Sequence, residues 1–203
     1  MTATLNASTS AGVILTSDTS GSLAIQSNGT TIATASSTGL AISTYNPAAS
    51  LITSGTAVAS TSGTSIDFTG IPSWVKRITV MFNAVSTNGT SNIQVQIGAG
   101  SVDSTGYFAQ CFYINSSPSY ATSTTGNIIT AAISAAGTIS GTAVLNLISS
   151  NTWVLTSNLG RSDILLELGN GIKTLSGTLD RVRITTVNGT DTFDAGSINI
   201  FYE

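Results

Sequence analysis

Between residues 75 and 84, side chains alternate so that Lys76, Ile78, Val80 and Phe82 share one face and Val75, Arg77, Thr79 and Met81 the other. A period of two predicts a strand with one strongly apolar face. Gly70, Pro72 and Ser73 predict a turn leading into it, and Pro72, without an N–H, is confined to the strand's entrance. The alternation recurs over 92–98, where Ile93, Val95 and Ile97 oppose Gln94 and Gln96. Residues 107–114, YFAQCFYI, are apolar on both faces, which predicts a central or interfacial strand. Over 163–168 the pattern predicts Ile164, Leu166 and Leu168 inward and Asp163, Leu165 and Glu167 outward.

Further strands are expected at 127–134, 142–149, 152–157, 181–187 and 197–202. Asn88-Gly89 and Asn170-Gly171 predict hairpin tips, Ser150-Asn151 a tight reversal, and 116–126, with Pro118 and Tyr120, a polar loop. About eight or nine strands, with no sustained helical periodicity, predict an all-β fold, a jelly-roll-like β-sandwich over residues 64–203.

Residues 1–63 read differently. Asp18 is their only charged side chain, and short apolar pairs alternate with turn residues: Leu23 and Ile25, Asn28-Gly29, Ile32, Thr38-Gly39, then Leu40 and Ile42. Asn28-Gly29 suits a tight hairpin. A turn at Tyr45-Asn46-Pro47 leads into a connector of small residues. Strands with two or three apolar side chains each bury too little to offset the entropy of ordering them. This segment is therefore expected to be an extended N-terminal arm and anchor that becomes ordered against partners.

Charged residues are 7% of the chain, against about 25% in ordinary domains. With so few charges, solubility rests on hydroxyl and amide side chains, and copies repel one another little, which favours assembly. A net charge of −3 with six basic residues spread along the chain builds no track for phosphates, so nucleic acid is not an expected partner. The single cysteine, Cys111, is expected to be a buried small side chain. Residues 1–10 have neither the basic nor the apolar part of a secretory signal, and no run of eighteen apolar residues occurs, so neither secretion nor membrane insertion is expected.

The chain contains no histidine, which removes imidazole-dependent catalysis and most zinc sites. A glycosidase pair needs carboxyls about 5–9.5 Å apart. Asp163 and Glu167, on one strand face, would stand about 13 Å apart. Asp180, ahead of outward Arg181 and Arg183, reads as a surface ion-pair partner. Asn188-Gly189-Thr190-Asp191 with Asp194 has oxygen donors for calcium but lacks EF-hand spacing, and an Asx turn explains the same residues. Among Trp74, Tyr107, Tyr113, Tyr120 and Trp153, Tyr120 is the candidate for an exposed ligand surface. No catalytic, metal-binding or cofactor-binding residue is assigned, and no cofactor is expected.

Two stretches carry a resemblance. AGVILTSDTSGSLAIQSNGTTIA (11–33) resembles the N-terminal arm of short phage appendage proteins. IDFTGIPSWVKRITVMFNAVSTNGTSNIQVQIG (66–98), closed by GSINIFYE (196–203), is similar to a module of tailed-bacteriophage tail-fibre and other virion proteins. The resemblance implies a non-enzymatic, commonly homotrimeric virion protein, assembled in a host cytoplasm, with capsid or tail proteins as partners and a host-surface glycan as a candidate ligand. Alternatives are a capsid decoration protein, a carbohydrate-binding module or a glycan depolymerase.

Overall fold

A computed structural model describes residues 21–27, 29–42, 52–114, 118–131, 133–163 and 165–203. The start of the arm, the turn at Tyr45-Asn46-Pro47, Asn28 and Ile164 lie outside them. The chain divides into two compact units, Met1–Ser50 and Leu51–Glu203. Every described element is a β-strand or a loop.

In the first unit, β1 (Leu23–Ser27), β2 (Thr30–Ser36) and β3 (Gly39–Ile42) form an antiparallel meander. Ser27 faces Thr30 across a two-residue turn with Gly29 at φ 76°, a conformation that costs glycine little. None of the described side chains between residues 21 and 40 is buried, and Leu23, Ile25 and Leu40 are exposed.

The second unit starts ahead of the compositional step at residue 64, because β4 (Thr53–Ser54) and β5 (Val58–Ala59) pair with β17 (Phe193–Tyr202). Its other strands are β6 (Ser65–Thr69), β7 (Arg77–Thr87), β8 (Ile93–Ala99), β9 (Ser101–Val102), β10 (Phe108–Ile114), β11 (Ser119–Ser123), β12 (Asn127–Ile128), β13 (Ile139–Ser149), β14 (Thr152–Arg161), β15 (Leu165–Thr174) and β16 (Arg181–Thr186). The unit thus exceeds the eight or nine strands expected, since short pieces of loop pair at sheet edges.

One sheet runs β11-β10-β15-β14-β13-β7-β17-β4, with β5 also on β17; the other runs β12-β8-β16-β6, with β9 on β8. The pairings nest: β13 with β14, β10 with β15, β8 with β16, and β7 with β17. Both sheets close on one apolar core. Ile78, Val80 and Phe82, placed on one face by the sequence, meet Leu145, Leu155 and Ile198 from the larger sheet and Val95, Ile97 and Ile184 from the smaller.

Two expectations about turns are corrected. Asn88-Gly89 is not a hairpin tip, because β7 and β8 belong to different sheets and the loop crosses between them. Asn170-Gly171 lies inside β15, paired with Thr156 and Leu155. Ser150-Asn151 does join β13 to β14 tightly, with Ser150 at φ 46°.

Candidate functional site

The side-chain pattern is unusual where β11, β10, β15 and β14 lie side by side. Of the alternation expected over 163–168, the part over 166–168 is inverted: Glu167 is fully buried, whereas Leu166 and Leu168 are exposed. Two glycines account for the inversion. A Cβ on Gly169 would stand 2.4 Å from Ser157 Oγ and 2.9 Å from the Ile128 carbonyl oxygen; one on Gly171 would stand 2.2 Å from Asn127 Oδ1. The segment carrying β12 packs against β15 so closely that only hydrogen fits there. Positions 169 and 171 must face inward, and parity carries Glu167 and Lys173 in with them. Leu166, Leu168 and Ile172 are turned out.

The outward side chains of neighbouring strands fall into register. Phe108 lies opposite Ile172, Phe112 between Tyr120 and Leu168, and Ile114 opposite Leu166. The Phe112 and Tyr120 ring centroids are 5.8 Å apart at 35°, a spacing typical of attractive aromatic pairs. Phe108 is 66% exposed and Tyr120 65%. Tyr120 was expected in a loop; it stands on β11 because residues 119–123 pair with β10. Between the apolar rows run Thr122, Gln110, Asn170 and Thr156.

The charged residues of these four strands face the other way and are neutralised. Arg161 Nη2 is 2.5 Å from Asp163 Oδ2 and Nη1 is 3.2 Å from Glu167 Oε1. Glu167 Oε2 accepts from the Ala131 N–H at 2.8 Å and from the Cys111 thiol at 3.6 Å. Lys173 Nζ is 2.9 Å from Asp103 and donates to the Thr105 carbonyl, and it sits 5.2 Å above the Tyr107 ring. The Tyr107 hydroxyl accepts from the Ile97 N–H at 2.8 Å, and burial pushes its pKa up. No protein-family model, curated protein or solved structure matches the chain.

The two carboxylates that the sequence placed about 13 Å apart along one strand instead flank a single guanidinium, since Asp163 lies in the turn before β15. The hydrogen bond from Arg161 holds the Asp163 carboxyl below the usual carboxylate range, which opposes the proton a general acid must carry. Burial and the nearby Glu167 carboxylate raise the Cys111 thiol, so little of it is the nucleophilic thiolate. Tyr107 and Trp153 are core residues, while Trp74 is exposed and packs at 5.9 Å on Tyr202. Asp180 pairs with Arg181 at 2.8 Å, as expected of a surface ion pair.

At the loop 188–191, Asn188 Oδ1 accepts from Thr186 Oγ1, the Thr190 N–H and the Asp191 N–H. Asp191 accepts from Asn188 Nδ2 at 2.6 Å and from the Ser91 N–H at 2.9 Å, which ties two loops together, and Asp194 accepts from Ser86 Oγ. Among the described residues no three acidic or sulfur ligands gather. The Asn188 and Ser91 hydrogen bonds depress the Asp191 pKa, so its contribution is present above about pH 3.9 and fades as pH falls through the lower folded value. Asp191→Ala is expected to cost about 1 kcal/mol at neutral pH, with the gap between wild-type and variant urea midpoints narrowing as pH falls below about 3.9. A gap that persists in acid contradicts this account.

Proposed function

We propose that this chain is a non-enzymatic structural protein of a tailed-bacteriophage virion, a homotrimeric appendage whose N-terminal arm anchors it and whose second unit, a jelly-roll-like sandwich, is displayed. The observation that carries this reading is the state of β1–β3. Three short strands leave Leu23, Ile25 and Leu40 exposed and bury no described side chain. An isolated three-stranded sheet of this kind does not offset the entropy of ordering it, so its order comes from a surface it docks on. The nested pairing of the second unit supports the jelly-roll-like part, and its large shared core supports independent folding.

Two measurements test this. Mass spectrometry of purified particles from the source is expected to find the chain, and its absence from virions overturns the proposal. Deleting residues 1–50 is expected to leave a cooperatively folded second unit that no longer incorporates into particles. Incorporation of the truncated chain removes the arm's anchoring role.

A further inference from the structure

We infer that the outer face of β10, β11 and β15 is where copies of this chain pack against one another. The inference rests on the assembly reading above and assigns a surface to it. An antiparallel sheet with one solvated face ordinarily turns its charges out and its apolar side chains in. Here the arrangement is reversed. Arg161, Glu167 and Lys173 are the charged residues described in β10, β11, β14 and β15; their side chains are 6%, 0% and 9% exposed. Outward stand Phe108, Phe112, Ile114, Leu166, Leu168 and Ile172, with Tyr120 beside them. By contrast, the outer face of the smaller sheet carries the Arg183–Asp67 and Arg181–Asp180 ion pairs.

The size of the face fits a protein partner. It is a band three strands wide and seven residues long, about 14 by 20 Å at ordinary strand spacing and rise. Its exposed apolar side-chain parts amount to roughly 600 Å², scaled from about 150–250 Å² for a whole aromatic side chain. That reaches the upper end of the largest patch on ordinary monomers, about 300–600 Å². A standard interface takes about 800 Å² from each partner, and the intervening row of Thr122, Gln110, Asn170 and Thr156 supplies the rest with neutral groups that can hydrogen-bond across the contact.

Chemistry narrows the occupant. The row of Thr122, Gln110, Asn170 and Thr156 could hydrogen-bond a glycan, but sugar rings stack on aromatic faces, and four of the seven large side chains here are Ile or Leu. An anionic lipid surface calls for outward lysine or arginine, and these strands turn none out among the described residues. A second copy meets an apolar band with an apolar band, and a chain of net charge −3 opposes that contact little. Phe112 and Tyr120, already paired in the single chain, lose little side-chain freedom when covered. Tyr120 is then buried by a neighbouring copy rather than by a host ligand.

Sedimentation of the full-length chain at micromolar concentration tests this. Wild type is expected to sediment as an oligomer, and Phe112→Lys or Leu168→Lys to raise the half-dissociation concentration about 100-fold or more. Phe108→Ser, a milder change at a more exposed position, is expected to shift it in the same direction. Thr69→Lys, on the outer face of the smaller sheet, is expected to leave it unchanged. Circular dichroism and thermal melts establish that each variant is folded. A wild-type oligomer that survives all three substitutions overturns the assigned face and leaves the assembly reading standing. A monomeric wild type overturns both, and if that monomer retains a neutral oligosaccharide and Phe112→Lys releases it, the face belongs to carbohydrate.

Discussion

Replacing Arg161 with methionine is expected to lower the unfolding free energy of the second unit by about 3–5 kcal/mol at neutral pH, the usual cost of leaving one member of a buried ion pair without its counter-charge. Arg161 is 6% exposed and bridges Asp163 and the fully buried Glu167. Methionine conserves much of the volume, so the loss is electrostatic rather than a cavity. Without the guanidinium, desolvation raises the folded pKa of Glu167 above its unfolded value of about 4.3. Such a group favours the fold below its unfolded pKa and loses that contribution as pH rises through the folded value. The deficit is therefore largest near neutrality and shrinks toward about pH 4. Wild type moves the opposite way, because Asp163, depressed by its hydrogen bond from Arg161, gives up stability in acid, and this narrows the deficit further. Urea unfolding of both proteins at the two pH values checks this, and Glu167→Gln in the methionine background is expected to recover part of the loss. A deficit under about 1 kcal/mol, the scale of a surface pair, shows that the bridge is solvated rather than buried.

Gly169→Val is expected to cost about 3 kcal/mol, the upper range for overpacking. The new Cβ would lie 2.4 Å from Ser157 Oγ, which can rotate away, and 2.9 Å from the Ile128 carbonyl oxygen, which is backbone and moves only with its segment. Displacing that segment removes Asn127 and Ile128 from the inner side of β15 and strains the bond from the Ile129 N–H to the Ile93 carbonyl, 3.0 Å in the native fold. Hydrogen exchange at the Ile129 amide is therefore expected to accelerate together with the fall in melting temperature. Asn170→Ser, one position along and facing outward, is expected to change stability by no more than about 0.5 kcal/mol. If residues 170–171 formed a hairpin tip, the asparagine would matter more. Equal costs at 169 and 170 contradict the close-packing account.

The fold class was legible in residues 75–84 and 92–98, where alternation put Ile78, Val80, Phe82, Val95 and Ile97 in the core. The strand 107–114 was legible as a strand apolar on both faces: β10 buries Ala109 and Cys111 while turning Phe108, Phe112 and Ile114 out. At 166–168 the reading failed. It rested on the premise that charge faces water, and the inward glycines on β15 overrode that premise. The spacing Gly169-Asn170-Gly171 is the signal that was available: alternate glycines can mark the side of a strand on which another backbone approaches, whereas here the Asn-Gly pair was read as a turn.

By itself the sequence determined local quantities: the all-β class, the scarcity of large apolar side chains in the first unit, the hairpins at 28–29 and 150–151, and the lack of histidine. These depend on residue type and on spacing within a few positions. Only the tertiary structure decided which side of β15 faces the core, which brought Arg161 between Asp163 and Glu167 and aligned Phe108, Phe112, Tyr120 and Leu168 on one surface. Those relations join residues distant in the chain, and a one-residue change of register, invisible in composition, would exchange the two faces.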